Sequence, residues 1–320
     1  MAEAPDCCSI AAATIQERGE KLRWAAARLP LASDAEAAHD ARVALRRLRA
    51  TSVGFSDCLA KPRKWGRQLR RAEKELGALR DAEVRLDLLD DVLGPVAVSR
   101  DRSDDPRTAS GSGGSIFTDP GREIQPGLRG LEMEARRVLA DSTAAEIGEF
   151  RQRALGAGAL QRLQRAAAPP QFQTGGDASA GGDLAQRQLP RLFQRATRPT
   201  RTEAGLHRRR GTIRKLRYRL ELFAPMLDSG HRAVLQELQE LQTRLGRFHD
   251  LVVLAGWIDG SARQLRHELR PALRRLALRV ELERQAAKEA AESELARLDD
   301  VAWWAAAEAA CLGSAEGTAS

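Results

Sequence analysis

Aromatic residues are scarce in this 320-residue sequence, and long apolar runs are absent from it. Phe, Trp and Tyr together make up 4% of the chain, whereas charged residues make up 30%. Ala, Leu, Arg and Glu dominate long stretches, which is typical of amphipathic helices with one exposed face. We therefore expect an all-α protein with almost no β-sheet and enough residues to bury a substantial core.

Membrane-spanning and export signals are also missing. No stretch of about 18 apolar residues, the length needed to cross a bilayer, occurs in the chain. The first ten residues, MAEAPDCCSI, are acidic and lack the basic region and apolar run of a signal peptide. The sequence thus predicts a cytoplasmic protein with no membrane partner.

The sequence gives little support for a role of its cysteines in redox chemistry or metal binding. The four cysteines form neither a C-x-x-C pair nor the spacing of a zinc site, and two of them lie in expected tails. We expect reduced, unpaired thiols, no bound metal and no cofactor. Nothing in the sequence indicates an oligomeric state.

The charge balance is strongly basic. The formal net charge is +8 and the sequence pI is near 9.9, so the partner is expected to be anionic. Charge alone does not choose between a nucleic acid, a phosphate polymer and a membrane surface.

Apolar periodicity, proline and cap residues predict a succession of helices. They cover residues 9–29, 35–58, 62–80, 81–94, 123–165, 184–197, 203–228, 230–247, 249–265 and 271–300. Two polar stretches rich in Gly or Pro interrupt the pattern. We predict a first half at 1–168 with a flexible insert at 99–121, a linker at 169–183, a second half at 184–305 and a disordered tail at 306–320.

An internal repeat is the most informative feature. HDARVALRRLRATSVGF (39–55) and HRRRGTIRKLRYRLELF (207–223) align without gaps, and His, three Arg and Phe recur at the same positions. The recurring residues are His39, Arg42, Arg46, Arg49 and Phe55, matched by His207, Arg210, Arg214, Arg217 and Phe223. A second pair of blocks, at 75–89 and 244–258, shares L-G-x-x-x-D. Two matching blocks in the same order indicate a duplicated unit.

The recurring basic residues share one helix face. At 100° per residue, His39, Arg42, Arg46 and Arg49 fall within a stripe about 80° wide, beside the apolar face. The stripe would therefore border a packed surface and line a groove. Arginines at this spacing repel one another by a few tenths of a kcal/mol per pair, which a bound anion would offset. The guanidinium fork matches phosphate oxygens, so this helix predicts a phosphate site.

Further basic residues surround the stripe. Residues 61–74 add Lys61, Arg63, Lys64, Arg67, Arg70, Arg71 and Lys74, and residues 198–210 add Arg198, Arg201, Arg208 and Arg209. A single basic helix face is usually just solvated, but a solvated face does not require the same spacing twice. For His39 and His207, a local hydrogen bond at the helix start and contact with phosphate remain equal alternatives.

At these motifs the sequence resembles the CHAD family, the conserved histidine α-helical domain. The resemblance implies two helical bundles related by a pseudo-twofold axis around a basic cavity that binds inorganic polyphosphate, with granule association in some members. Carried over residue by residue, it indicates His39, Arg42, Arg46, Arg49, His207, Arg210, Arg214 and Arg217, with Arg47 and Lys215 as additions. We add Lys74 from the adjacent basic run and Tyr218 beside the second stripe.

Two departures from the family pattern limit the expected activity. The triphosphatase-type domain to which family members are often fused, with its E-x-E-x-K motif, is absent, so we expect a binding protein and no enzyme. The second copy has Gly211 inside its helix and His249 where the first has Arg80, which predicts a looser second site.

Two other functions remain as alternatives. A nucleic-acid binder would suit the charge, although no zinc finger or RNA-recognition signature is present. A phosphohydrolase would use the pairs His39-Asp40 and His249-Asp250, although metal hydrolases need further ligands around such pairs.

Overall fold

The computed structural model describes residues 6–30, 36–94, 126–173, 181–200, 202–299 and 301–313. The predicted insert at 99–121 and most of the predicted linker lie outside these ranges. Within them the chain is helical, and an isolated bridge between Leu59 and Phe172 is the one β-type pairing. The predicted all-α class is confirmed. In the described ranges, no helix has the length and apolar character that a membrane crossing requires.

The described part of the chain forms ten α-helices. They are α1 Cys7–Arg28, α2 Glu36–Gly54, α3 Pro62–Leu93, α4 Pro126–Leu155, α5 Ala157–Ala167, α6 Gly181–Ala196, α7 Glu203–Phe223, α8 His231–Ala262, α9 Arg270–Leu298 and α10 Val301–Leu312. Helices α3 and α8 are both 32 residues long and begin 169 positions apart, at residues 62 and 231. This spacing fits the predicted duplication, which itself stays a prediction.

The predicted helix breaks at 80–81 and at 247–249 are wrong. Both lie inside continuous helices, α3 and α8. Asp81 does not cap a helix, because its carboxylate accepts a hydrogen bond from Arg42 on the neighbouring α2. No proline interrupts either helix near these positions, so nothing forces the backbone to break.

The predicted tail at 306–320 begins too early. Residues 306–312 belong to α10, and its Ala307 and Cys311 are buried. Trp304 packs edge-to-face on Phe193 of α6, which anchors the helix. The first cysteine, Cys7, is likewise buried in α1 and is not part of a tail. Residues 314–320 lie outside the described ranges.

Three hydrophobic clusters form the interior. One joins α1, α2, α3 and α5, and another joins α6, α7, α8, α9 and α10 together with Cys7 and Ala11 of α1. The third packs the C-terminal parts of α3 and α8 together with α4 and α9. Because this third cluster draws on both long helices, it ties the two halves of the chain together.

Helices α2 and α7 cross at their C-terminal ends. Phe55 and Phe223, which occupy equivalent repeat positions, pack edge-to-face with ring centroids 5.8 Å apart. A Cβ added to Gly54 would clash with the side chain of Leu222, so glycine permits the close approach here. The buried Arg219 donates to the carbonyl of Ala50 across the crossing. The crossing leaves the N-terminal and central turns of both helices to line a cavity with α3 and α8.

Candidate functional site

A cavity of about 450 Å³ lies between α2, α3, α7 and α8. Each of the four helices contributes charged side chains to its wall. The lining residues are His39, Arg42, Val43, Arg46, Arg80, Asp81, Val84, Arg85, His207, Arg210, Arg214, His249, Asp250 and Val253. Six arginines face two aspartates, so the wall carries an excess of positive charge even with the histidines neutral.

The two aspartates pair with equivalent arginines in the two halves. Arg42 Nη1 lies 2.8 Å from Asp81 Oδ1, and Arg210 Nη2 lies 3.9 Å from Asp250 Oδ1. Burial raises the pKa of Asp250, although the neighbouring Arg210 opposes that shift. Each half thus brings one arginine and one aspartate to the cavity in the same arrangement.

Arg214 has no such partner. Within the described part of the chain, no carboxylate lies within ion-pair distance of its guanidinium. Burial lowers the pKa of Arg214 to about 10, and repulsion from Arg46 and Arg210 adds to the effect. Burial also lowers the pKa of Arg210, with Arg46 and Arg42 contributing from α2. The side chains remain protonated at neutral pH, so the cavity concentrates positive charge that an anion would neutralise.

Two histidines meet at the second-half wall. His207 Nδ1 lies 3.3 Å from His249 Nδ1, and their ring centroids are 4.7 Å apart. Burial, together with the positive charge of Arg210 and the neighbouring His207, lowers the pKa of His249 to about 4. His249 is therefore neutral at pH 7. The exposed His39 lies at the first-half wall.

The structure brings together half of the residues predicted from the sequence. His39, Arg42, Arg46, His207, Arg210 and Arg214 line the cavity. Its lining does not include the other six, Arg47, Arg49, Lys74, Lys215, Arg217 and Tyr218. A binding role for these six stays a prediction, but they do not act from the cavity wall described here.

The third arginine of each stripe lies outside the lining because the cavity wall on α2 and α7 ends at Arg46 and Arg214. Arg49 Nη1 lies 2.5 Å from Glu73 Oε2. The equivalent Arg217 donates to Gln242 at 3.1 Å and pairs with Glu221 at 3.1 Å.

The remaining predicted residues lie on other faces. Arg47 pairs with Glu221 at 3.4 Å, and Tyr218 is 7% exposed beneath the guanidinium of Arg217. Lys74 and Lys215 are exposed on α3 and α7.

Sequence reasoning missed the contribution of α3 and α8. Arg80 and Asp81 line the cavity from α3, and His249 and Asp250 line it from α8. These residues lie in the L-G-x-x-x-D blocks, and the recurrence of those blocks was the available signal. Arg85 carried no such signal, since it has no basic counterpart in the second copy; it packs over the ring of Trp257 at 5.1 Å.

The comparisons with known proteins agree with this fold. The sequence model of the CHAD domain family matches residues 13–259. A crystal structure of the CHAD domain from the plant Ricinus communis has 22% sequence identity with this chain. The two align over 97% of this chain and 96% of that chain, with a TM-score of 0.58. The structure of PptA from Streptomyces chartreusis has 17% sequence identity with this chain. The two align over 91% of this chain and 99% of that chain, with a TM-score of 0.62. No curated protein matches the sequence.

Proposed function

Because this chain belongs to the CHAD domain family, we propose that it binds inorganic polyphosphate in the basic cavity between α2, α3, α7 and α8. The observation that carries the proposal is that Arg214 lines the cavity with Arg46 and Arg210 and, among the described residues, has no carboxylate within ion-pair distance. Like charges at this proximity destabilise the empty protein, and a phosphate chain would relieve the repulsion. We propose further that the protein is cytoplasmic and associates with polyphosphate granules.

A linear phosphate polymer suits this wall better than a single phosphate ion. The arginines come from both repeats, and Arg210 is close enough to Arg42 and Arg46 for their charges to lower its pKa. A chain that carries one charge per unit can contact several guanidinium groups at once. Orthophosphate gains fewer of these contacts and must still compete with Asp81 and Asp250.

The proposed role is binding without catalysis. Asp40, half of the first H-D pair, forms an ion pair with Arg28 at 2.7 Å, and Asp250 of the second pair faces Arg210. Within the described ranges, the cluster with metal-ligand spacing is Glu237, Glu240 and Glu294, and none of the three lines the cavity. The H-D pairs are therefore better explained as parts of charge networks.

Nucleic acid is less well supported as the ligand. Single-stranded nucleic acids gain about 1–3 kcal/mol per base by stacking on aromatic side chains. Among the residues that line the cavity, none is Phe, Trp or Tyr. The cavity offers contacts to phosphate and little for a base.

Titration with long-chain polyphosphate at several salt concentrations tests the proposal. Binding that neutralises many phosphates releases counterions, so affinity should fall several-fold or more between low and physiological salt. Orthophosphate should bind weakly, and RNA or DNA should not displace bound polyphosphate. Binding that is indifferent to salt, or displacement by nucleic acid at equal phosphate concentration, would contradict the proposal.

Polyphosphate binding should be coupled to proton uptake at His249. The groups that act on this side chain are Arg210, His207 and Arg214 from α7 and Asp81 from α3. A bound polyanion stabilises the imidazolium and raises its pKa from about 4. Between the two pKa values the complex holds more protons than the empty protein, so affinity should rise as the pH falls through that window. Calorimetry in buffers of different ionisation enthalpy measures the uptake.

His249→Gln is the matched control for this coupling. The terminal groups of polyphosphate titrate in the same way with either protein, so the difference between the two isolates His249. The variant should bind with less proton uptake and a flatter pH profile. Equal uptake by both proteins would show that His249 stays neutral in the complex.

A further inference from the structure

A row of exposed cations lies on the N-terminal half of α3. It consists of Arg63, Arg67, Arg70 and Lys74, which we call the α3 ridge, and Lys64 and Arg71 flank it. Within the described part of the chain, none of the four has a carboxylate within ion-pair distance. The ridge therefore carries four uncompensated positive charges.

The ridge is continuous with the cavity along the same helix face. At 100° per residue its four positions fall in a stripe about 60° wide that also contains Asp81 and Arg85, two residues of the cavity wall. Between them lies Gly77, whose carbonyl is 3.5 Å from Arg42 Nη1 on α2. Lys74 precedes Asp81 by about 10 Å along the helix axis, and the ridge extends about 16 Å further.

The equivalent face of α8 carries one cation at the four matching positions. At the same offset, α8 carries Arg232, Gln236, Gln239 and Thr243, all exposed. Three of these exposed positions on α8 carry uncharged side chains. Solubility therefore does not require cations at the matching positions of α3. The ridge also places like charges three and four residues apart, which costs stability unless an anion binds.

We propose that the α3 ridge is a second phosphate-binding segment, which holds the part of a polyphosphate chain that extends out of the cavity. A chain longer than the cavity would then leave on the α3 side and not on the α8 side. This inference rests on the proposed function, because it assigns a further segment to the same ligand. It makes the site directional despite the repeat in the sequence.

The test compares a short and a long ligand. The ridge variant replaces Arg63, Arg67, Arg70 and Lys74 with Gln, which keeps helix propensity at exposed positions. Tripolyphosphate, which the cavity alone can hold, should bind it as well as it binds the native protein. Long-chain polyphosphate should bind at least about tenfold more weakly, and the slope of log K against log salt should fall by about 3, at about 0.7 per contact for a single-stranded polyanion.

The matched control removes four exposed cations elsewhere. Arg195, Arg263, Arg270 and Arg274 are exposed, lie outside the cavity lining and have no ion pair within the described ranges. Their replacement with Gln changes the net charge equally and should leave the affinity for long chains within about twofold of the native value. Circular dichroism should show that both variants keep their helical content.

The outcomes separate the two proposals. Equal weakening by the ridge and control variants would mean that bulk charge acts, and would overturn the directional inference. Loss of long-chain RNA binding without loss of polyphosphate binding would also overturn it, since the ridge would then serve nucleic acid. If the native protein binds neither tripolyphosphate nor long chains, the proposed function itself fails.

Discussion

Replacing Arg42, Arg46, Arg210 and Arg214 with glutamine should remove most polyphosphate binding while the helical fold remains. Glutamine keeps helix propensity and loses only the charge and the guanidinium fork. Each hydrogen bond to a charged group contributes about 1.5–3 kcal/mol, so four losses correspond to a thousandfold or greater drop in affinity. The change also leaves Asp81 and Asp250 without their arginines, which adds repulsion toward phosphate. Titration with labelled long-chain polyphosphate at fixed ionic strength measures the loss.

The control must remove equal charge without breaking other contacts. Arg266 and Arg275, which lie outside the motif, are less suitable because they pair with Glu134 and Glu132 on α4. The four-residue control used for the α3 ridge avoids this problem. If it weakens binding as much as the cavity variant, the repeated His-Arg-Arg-Arg spacing is a folding signature and the site assignment is wrong.

Phe223→Ala should cost the protein about 3–5 kcal/mol of unfolding free energy. Phe223 is fully buried, and its ring packs edge-to-face on Phe55 where α2 and α7 cross. Truncation leaves a cavity. Because α2 and α7 are already in tight contact at Gly54, the helices cannot move closer to close it. Urea denaturation followed by circular dichroism measures the change.

A surface substitution and a double variant complete this experiment. Leu282 is 72% exposed on α9, so Leu282→Ala should change stability by less than about 0.5 kcal/mol. Phe55→Ala combined with Phe223→Ala should cost less than the sum of the two single changes, since the rings contact each other. A loss below about 1 kcal/mol for Phe223→Ala would contradict the role assigned to the crossing.

Local periodicity predicted two of the four helices that line the cavity, α2 and α7, because the pattern within 39–55 and 207–223 has one dominant period. The first three basic residues of each stripe, which it placed on one helix face, line the cavity in the structure. Periodicity could not show that the fourth, Arg49 or Arg217, turns toward α3 or α8, because that depends on where two distant helices cross. A helical wheel has no information about the crossing at Gly54.

Tertiary contacts explain the other differences. Asp81 has the character of a helix cap in the sequence, but an arginine 39 positions earlier supplies its partner. The segment at 306–312 reads as a tail because it is short and rich in alanine. Burial of Ala307 and Cys311 against other helices stabilises it as the end of α10.

The ion pairs Arg42–Asp81 and Arg210–Asp250 have a kinetic consequence. An unrestrained arginine side chain carries about 2 kcal/mol of rotamer entropy, which a ligand must otherwise overcome. Here two guanidinium groups are oriented when the chain folds, so the proposed ligand would not have to order them. Entry of an anion then needs little rearrangement of α2 or α7. We therefore expect its rate to be set by diffusion and by attraction toward the basic wall.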